Sequence, residues 1–219
     1  DNDMSVVDNL TKNVSLHQFM VSSFVFFLIW INIELIYTLI PNGNVYDEAK
    51  YVVLILSLVK IVNTSLNVGA TVLSYSKYYY YSLLFTIILA VVAIVMNIQL
   101  IPVMGMEGAA LASLISYVVY YALLLLFVNC KVKVSPFSVK ELYTLIIILV
   151  LFVFDYLFQK YISKYFVAVF SIELFGQVFD SVIRTIILSM IGITAIYKFK
   201  ISNQVNDIID KFISLLKRT

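Results

Sequence analysis

The chain has 219 residues, of which 62% are hydrophobic and only 13% are charged, and its mean hydropathy is +0.99. Soluble domains are about half apolar and about a quarter charged, so this composition excludes an ordinary water-soluble globular protein. The net charge of +2 gives no reason to expect a polyanionic partner such as nucleic acid.

Six apolar stretches follow one another along the chain, and each is long enough to cross about 30 Å of hydrocarbon as a helix of about 20 residues. They run over residues 18–40, 51–73, 78–100, 108–129, 142–161 and 178–198. All three prolines lie between the stretches, as expected for helices, because an interior proline removes a backbone hydrogen bond. No stretch alternates with the period of two that a membrane-spanning barrel needs. The sequence therefore predicts an all-α membrane protein with six transmembrane helices.

Beyond the last apolar stretch, hydrophobic residues recur at helical spacing with charged residues between them. These are Val205, Ile208, Ile209, Phe212, Ile213 and Leu216. The pattern predicts a short amphipathic helix that lies in the membrane interface. We therefore expect one six-helix transmembrane lobe over residues 1–202 and a cytoplasmic tail helix over residues 203–219.

Lysine and arginine residues in the connecting segments indicate the orientation, because cytoplasmic loops are enriched in them. If the amino end is cytoplasmic, the outer segments hold only Lys50, Lys160 and Lys164. The inner segments then hold Lys12, Lys77, Lys131, Lys133, Lys140, Lys198, Lys200, Lys211, Lys217 and Arg218. This bias predicts a multi-pass protein of the cytoplasmic (inner) membrane with both ends of the segment in the cytoplasm.

Polar residues follow one face of the second span at steps of three and four. They are Ser57, Lys60, Asn63, Thr64, Asn67 and Thr71. Lys60 lies near the midplane, where a charge costs about 3 kcal/mol or more, so this stripe is expected to face a bundle interior or a water-filled cavity. One interpretation is a cationic wall for an anionic or sugar-bearing cargo, lined by Lys60, Asn63 and Asn67. The other is a contact between helices in which Lys60 pairs with a carboxylate.

A second set of charged residues falls in or near the outer third of the predicted spans: Glu34, Asp155, Asp180 and Arg184. Glu34 and Arg184 lie at matching depths, so a buried pair between them is feasible and would be mainly structural. The alternative for Glu34 and Asp155 is a role in ion coupling or gating, and for Arg184 a place in the cavity lining.

Small residues open the fourth span. Gly108, Ala112 and Ser116 are spaced by four, which puts them on one helix face and predicts close helix packing there.

The residues offer little for catalysis. Cys130 and His17 are the only cysteine and the only histidine, so a disulfide, a zinc site or a histidine-based triad within the chain is not expected. There is no glycine-rich phosphate loop, metal-ligand cluster or nucleophile elbow. We expect a protein that is not an enzyme and that carries no cofactor.

Residues 97–117 read N-I-Q-L-I-P-V-M-G-M-E-G-A-A-L-A-S-L-I-S-Y. This segment resembles the N…L-I-P…G…G-A-A-x-A-(S/T)…S junction of polysaccharide flippases in the multidrug/oligosaccharidyl-lipid/polysaccharide exporter superfamily. Two shorter runs are also similar to that family: Leu39-Ile40-Pro41 through Tyr46-Asp47-Glu48-Ala49 to its seventh-helix exit, and Asn67-Val68-Gly69 before Ser76-Lys77 to its G-x-x-L…G-K region. Ser76 stands where the second glycine is usual.

The resemblance implies the carboxyl-terminal lobe of a two-lobe transporter, with a six-helix lobe preceding Asp1. Such a transporter flips lipid-linked oligosaccharide repeat units, as for O-antigen or lipopolysaccharide, by alternating access. The resemblance assigns none of the cavity residues, which rest on their positions in the predicted spans. On that ground Lys60 is the leading candidate to contact the cargo pyrophosphate and Arg184 is the second. Asn63 and Asn67 are expected to hydrogen-bond sugar hydroxyls, and Glu34 or Asp155 to couple transport to an ion gradient.

Three other functions remain open at this point. A cation-coupled multidrug antiporter of the same superfamily would favour acidic over basic cavity residues. A membrane-embedded enzyme of envelope synthesis would need catalytic groups near a membrane face. A membrane scaffold without transport would not need the polar stripe on the second span.

Overall fold

The computed structural model of the chain describes residues 2–40, 49–163, 165 and 173–216, and over those residues it is helical with no strands. The helices are α1 (Asn2–Ile31), α2 (Ile33–Leu39), α3 (Ala49–Ser74), α4 (Tyr79–Phe127), α5 (Val139–Phe158), α6 (Glu173–Lys198) and α7 (Asn203–Leu216). Two π-helical segments, Val128–Val132 and Gln159–Ser163, extend α4 and α5.

Five helical segments in the described part of the chain are long and apolar enough to cross a membrane. They are Met4–Ile31, Ala49–Ser74, Tyr79–Val132, Val139–Ser163 and Leu174–Lys198. The prediction of an all-α, multi-pass membrane protein is confirmed at this level. The fold differs from the predicted spans chiefly in the first helix and in the long segment around Gly105.

The first helix begins at Asn2, well before the predicted start at residue 18. Its early turns are polar, but they are packed: Thr11 and Ser15 are buried, and Thr11 donates a hydrogen bond to the Val7 carbonyl at 2.8 Å. Asp8 accepts a bond from the Ser135 backbone N–H at 2.8 Å and pairs with Lys12 at 2.5 Å. The burial of Thr11 and Ser15 and the contact between Asp8 and Ser135 tie these polar turns to the rest of unit 1.

The long helix α4 is interrupted at Gly105, which has φ +57° and ψ −128°, close to the region of backbone conformation that is essentially reserved for glycine. A Cβ at Gly108 would lie 2.2 Å from the Leu100 carbonyl oxygen. In a straight helix, residues eight apart are separated by about 12 Å along the axis. The chain therefore folds back on itself between Leu100 and Gly108, just after Pro102.

The chain divides into two compact units. Unit 1 comprises Asp1–Ser22 and Pro41–Ser138, and unit 2 comprises Ser23–Ile40 and Val139–Thr219. The predicted division into one lobe over residues 1–202 and a tail over residues 203–219 stays a prediction.

The core of unit 1 joins α3 to the second part of α4. Leu66, Ala70 and Leu73 pack with Tyr121 and Leu124 in one buried cluster. The small face predicted for the fourth span is buried as well, with Ala112 and Ser116 almost inaccessible. Small residues allow this close approach because they let helix backbones come together.

The core of unit 2 is formed by the end of α1 together with α5 and α6. Phe27, Ile31, Ile148, Leu151 and Leu188 are its buried members. The Phe27 ring meets the edge of Phe152 with ring centroids 5.1 Å apart, a geometry favoured between aromatic rings.

Replacing Gly108 with alanine is expected to destabilise the protein, because the added methyl group would overlap the Leu100 carbonyl, which is backbone and cannot rotate away. Overpacking of this kind costs about 1–3 kcal/mol, which lowers the melting temperature by several degrees. The measurement is the temperature at which half of the detergent-purified protein is lost from the monodisperse size-exclusion peak. Gly69→Ala is the matched control, since its new Cβ meets side chains alone, the end of Leu124 at 3.3 Å and Pro136 at 3.9 Å. Equal melting temperatures for the two variants would contradict the fold-back at Gly105.

Candidate functional site

A polar face on α3 is the first candidate site, and it lies within unit 1. The helix has 26 residues and is therefore about 39 Å long, with Lys60 close to its middle. The Lys60 side chain is exposed, and it makes no ion pair or hydrogen bond with any residue that the structure describes. The predicted alternative, in which Lys60 pairs with a carboxylate, has no counterpart among those residues.

The rest of the stripe lies on the same outward face. Asn67 and Thr71 are exposed, and Ser57 and Thr64 are half-buried. The opposite face of α3 carries Leu66, Ala70 and Leu73 into the core of unit 1. Because successive residues are rotated by about 100° in a helix, the core contacts of α3 turn the stripe away from the core of its own unit.

Asn63 stands apart from the other stripe residues, because Tyr121 holds it. The Tyr121 hydroxyl donates to the Asn63 side-chain oxygen at 2.5 Å and contacts its backbone carbonyl at 3.2 Å. A buried tyrosine hydroxyl needs such a partner. The side-chain oxygen of Asn63 is therefore engaged inside unit 1, and Lys60 and Asn67 are the predicted lining residues that stay open.

A polar cavity of about 350 Å³ is the second candidate site, and it lies within unit 2. Three parts of the chain converge on it: α2, the π-helical end of α5, and the first half of α6. They contribute Glu34, Thr38, Gln159, Ser163, Gln177, Asp180, Ser181 and Arg184. Of the sequence-predicted residues, Glu34 and Arg184 line the cavity directly, and Asp155 reaches it through its contact with Arg184.

Arg184 is buried, and its contacts are made inside unit 2. Its Nη2 donates to the Ile31 carbonyl at 2.7 Å, and its Nε lies 3.5 Å from the Asp155 carboxylate. The Ile31 carbonyl is available because α1 ends there and the last carbonyls of a helix lack partners within it. The break between α1 and α2 at Asn32 thus creates part of the site for the guanidinium. The structure describes an ion pair of Arg184 with Asp155 and places Glu34 at the same cavity, so the predicted pair between Glu34 and Arg184 stays a prediction.

The carboxylates of this cavity outnumber its cations. Asp155 accepts a hydrogen bond from the Gln159 amide at 3.1 Å, and Asp180 accepts one from the Ser163 hydroxyl. The other oxygen of Asp180, Oδ1, is buried and has no hydrogen-bond partner among the described residues. With Glu34 at the same cavity, three carboxylates lie in or beside a cavity whose described lining includes one guanidinium, that of Arg184. The region is suited to hold a proton or another cation, although no described acidic, histidine or cysteine side chains converge as a metal-ligand group.

Sequence reasoning identified the charged residues of the cavity but not the polar ones around them. Gln177, Asp180 and Arg184 recur at steps of three and four, which is the spacing of one helix face. Asp155, Gln159 and Ser163 are likewise spaced by four. These two rows are the sequence signal for the polar lining of the cavity. Gln159 and Ser163 are hard to assign from sequence because they lie at or just beyond the end of the predicted fifth span.

The Arg184–Asp155 pair is expected to be structural, and this can be tested with a double-mutant cycle. Asp155→Ala leaves a buried guanidinium without its carboxylate and should cost about 3–5 kcal/mol. Asp155→Leu combined with Arg184→Met removes both charges and should regain most of that loss. The measurement is thermal stability of the purified protein in detergent. A double variant no more stable than Asp155→Ala would mean that the pair does not hold unit 2 together.

Comparison of this chain with models of known protein families, with curated proteins and with solved structures finds no match.

Proposed function

We propose that this chain forms part of a transporter that flips lipid-linked oligosaccharide repeat units across the inner membrane for surface polysaccharide biosynthesis. The observation that carries the proposal is the outward polar face of α3, with Lys60 exposed at mid-helix. The resemblance of residues 97–117 to polysaccharide flippases supports the same function.

Placing the charged side chain of Lys60 inside a bilayer costs free energy. An ammonium group in hydrocarbon costs about 3 kcal/mol or more, and Lys60 has no counter-ion among the described residues to offset this. A wet passage removes the cost, because water or an anionic cargo then solvates the charge. Lysine is a compact phosphate-binding charge, so the pyrophosphate of a lipid-linked sugar fits this position. Asn67 and Thr71, exposed on the same face, can hydrogen-bond sugar hydroxyls.

Alternating access needs a second wall for this passage. The polar face of α3 turns away from its own unit's core, so another element must cover it within the bilayer. A further six-helix lobe preceding Asp1, as the resemblance implies, supplies that wall. Lys60 and Asn67 then belong to the lining of the central cavity.

The break at Gly105 supports six crossings rather than five. It divides Tyr79–Val132 into two parts, and each has enough residues to span about 30 Å of hydrocarbon. Six crossings put both ends of the segment on one side, and the lysine and arginine bias assigns that side to the cytoplasm.

The polar cavity of unit 2 is the proposed site of energy coupling. Asp180 and Glu34 gain or lose a proton, or bind sodium, as the transporter changes conformation, while Arg184 and Asp155 stabilise the walls. The same excess of carboxylates favours the second candidate function, a cation-coupled multidrug antiporter. The two are separated by their cargo, because Lys60 suits an anion and would repel the cationic drugs that such antiporters carry.

Replacing Lys60 with alanine is expected to reduce surface polysaccharide strongly at matched membrane levels of the protein. A lost charge-assisted contact to phosphate weakens cargo binding by about 1.5–3 kcal/mol, or about 10- to 100-fold. Lys60→Arg keeps the charge and should retain most of the output. The measurement is polysaccharide on cells whose only copy of the gene carries the substitution.

Lys77→Ala is the matched control, because it removes an exposed lysine just beyond the end of α3 that stands over the Tyr78 ring. Its polysaccharide output should equal that of the wild type. Wild-type output from Lys60→Ala would remove Lys60 from the mechanism. Unchanged polysaccharide with a lost resistance to cationic drugs would favour the antiporter.

Asp180→Asn is expected to abolish the stimulation of transport by an imposed proton or sodium gradient and to leave gradient-independent flipping in place. The amide keeps the shape of Asp180 and its contact with Ser163 but cannot exchange a charge. The measurement is flipping of a fluorescent lipid-linked oligosaccharide by the whole transporter in vesicles. Asp207→Asn, an exposed carboxylate outside the cavity, is the control. Full stimulation of the Asp180→Asn protein would exclude Asp180 as the coupling group.

A further inference from the structure

We infer that the end of α6 and the start of α7 bind an anionic phospholipid of the surrounding bilayer. This site lies in unit 2, apart from the polar cavity, and it does not depend on which cargo is carried. Three features carry the inference: an apolar groove, two lysines that pair with no acidic side chain in the described part of the chain, and an exposed isoleucine on α7.

The groove runs along the last turns of α6. It has a volume of about 410 Å³ and is lined by Met190, Ile191, Thr194, Ala195, Lys198 and Phe199. Met190 and Phe199 are 65% and 69% exposed. Since α6 is one of the membrane-crossing helices, the groove approaches the bilayer surface at one end. A flexible acyl chain fits an open, apolar groove of this kind.

Two lysines stand at the mouth of the groove. Lys198 is the last residue of α6, and Lys200 follows in the turn with φ +48°. Both are exposed, and neither pairs with an acidic side chain among the described residues. Lysines at the end of a membrane helix lie at the level of the lipid phosphates, which attract them.

One acidic residue of α7, Asp210, contacts Tyr197 at the end of α6. The Tyr197 hydroxyl donates to the Asp210 carboxylate at 2.6 Å, and the Asn206 amide donates to the Tyr197 carbonyl at 3.3 Å. These two contacts fasten α7 to the end of α6. No described ion pair joins Asp210 to Lys198 or Lys200, so both lysines can contact a phosphate.

The third feature is the apolar side of α7. Val205 and Ile209 are half-buried, whereas Ile208 is 67% exposed. Gln204 and Asp207 are exposed on the polar side of the helix. An amphipathic helix that follows a membrane span after a short turn lies in the interface, with its apolar side toward the acyl chains. Ile208 therefore extends the apolar surface that the groove begins.

Lipid retention by the purified full chain tests the site directly. Native mass spectrometry compares bound phosphatidylglycerol with bound phosphatidylcholine, lipids that differ in headgroup charge. Each lysine near lipid phosphates contributes about fivefold to affinity, so Lys198→Ala with Lys200→Ala should reduce the preference for phosphatidylglycerol by about 25-fold. Lys198→Arg with Lys200→Arg keeps both positive charges and should leave the preference unchanged. An unchanged preference in the double alanine variant overturns the inference.

Probe depth in vesicles tests it independently of those substitutions. Single cysteines at Ile208 and Asp207, in a Cys130→Ser background, carry an environment-sensitive fluorophore. Brominated phosphatidylglycerol should quench the probe at position 208 several-fold more strongly than the probe at position 207. Equal quenching at the two positions contradicts lipid binding at this surface. Quenching that an added protein relieves, but that unlabelled phosphatidylglycerol does not relieve, also contradicts it.

Discussion

A bilayer interior offers no water to satisfy a polar group, and this constraint explains where the chain is regular and where it breaks. Each charged or hydrogen-bonding side chain on a membrane-crossing helix needs a protein partner, a wet cavity or a route to the surface. Unit 2 meets the requirement internally for Arg184, which contacts both a carboxylate and a backbone carbonyl. Unit 1 meets it only in part. Asn63 is held by Tyr121, whereas Lys60 and Asn67 on the same helix are left facing outward.

The interruptions of the helices supply the partners that this constraint demands. The end of α1 at Ile31 leaves a carbonyl without a helical donor, and Arg184 takes that place. At the same break, the Asn32 side chain donates a hydrogen bond to the Thr185 hydroxyl at 2.9 Å. Thr185 directly follows Arg184, so this bond also ties the break to α6. The fold-back at Gly105 has a different consequence, because it converts one long apolar segment into two antiparallel lengths that pack beside α3. The break at Asn32 therefore supplies polar partners for α6, and the break at Gly105 divides α4 into two parts.

Hydropathy and proline placement were sufficient to predict the helical class, because both depend on the solvent around each segment and not on its neighbours. The start of α1 was missed because the polar residues Thr11 and Ser15 are buried only by tertiary packing. The Asn63–Tyr121 bond joins residues 58 positions apart, and no local pattern encodes it. Matching depth predicts that Glu34 can pair with Arg184, but depth leaves the angle around the helix axis undetermined. Depth alone therefore could not point to the contact between Asp155 and the guanidinium.

The sequence predicts two cationic residues as candidates for binding cargo, Lys60 and Arg184. They differ in how many contacts each makes within the protein. Arg184 is buried, with its guanidinium bound to a carbonyl and beside a carboxylate, so recruiting it to a substrate would break contacts that unit 2 needs. Removing one member of such a pair is costly because the other charge is left uncompensated. Lys60 has no such contacts to lose among the described residues. A phosphate that approaches Lys60 replaces only water, and the full strength of the charge-assisted bond is available for binding. On this reasoning Lys60, rather than Arg184, is the candidate for the proposed cargo contact, and Arg184 holds α6 to the end of α1 and to α5 in unit 2.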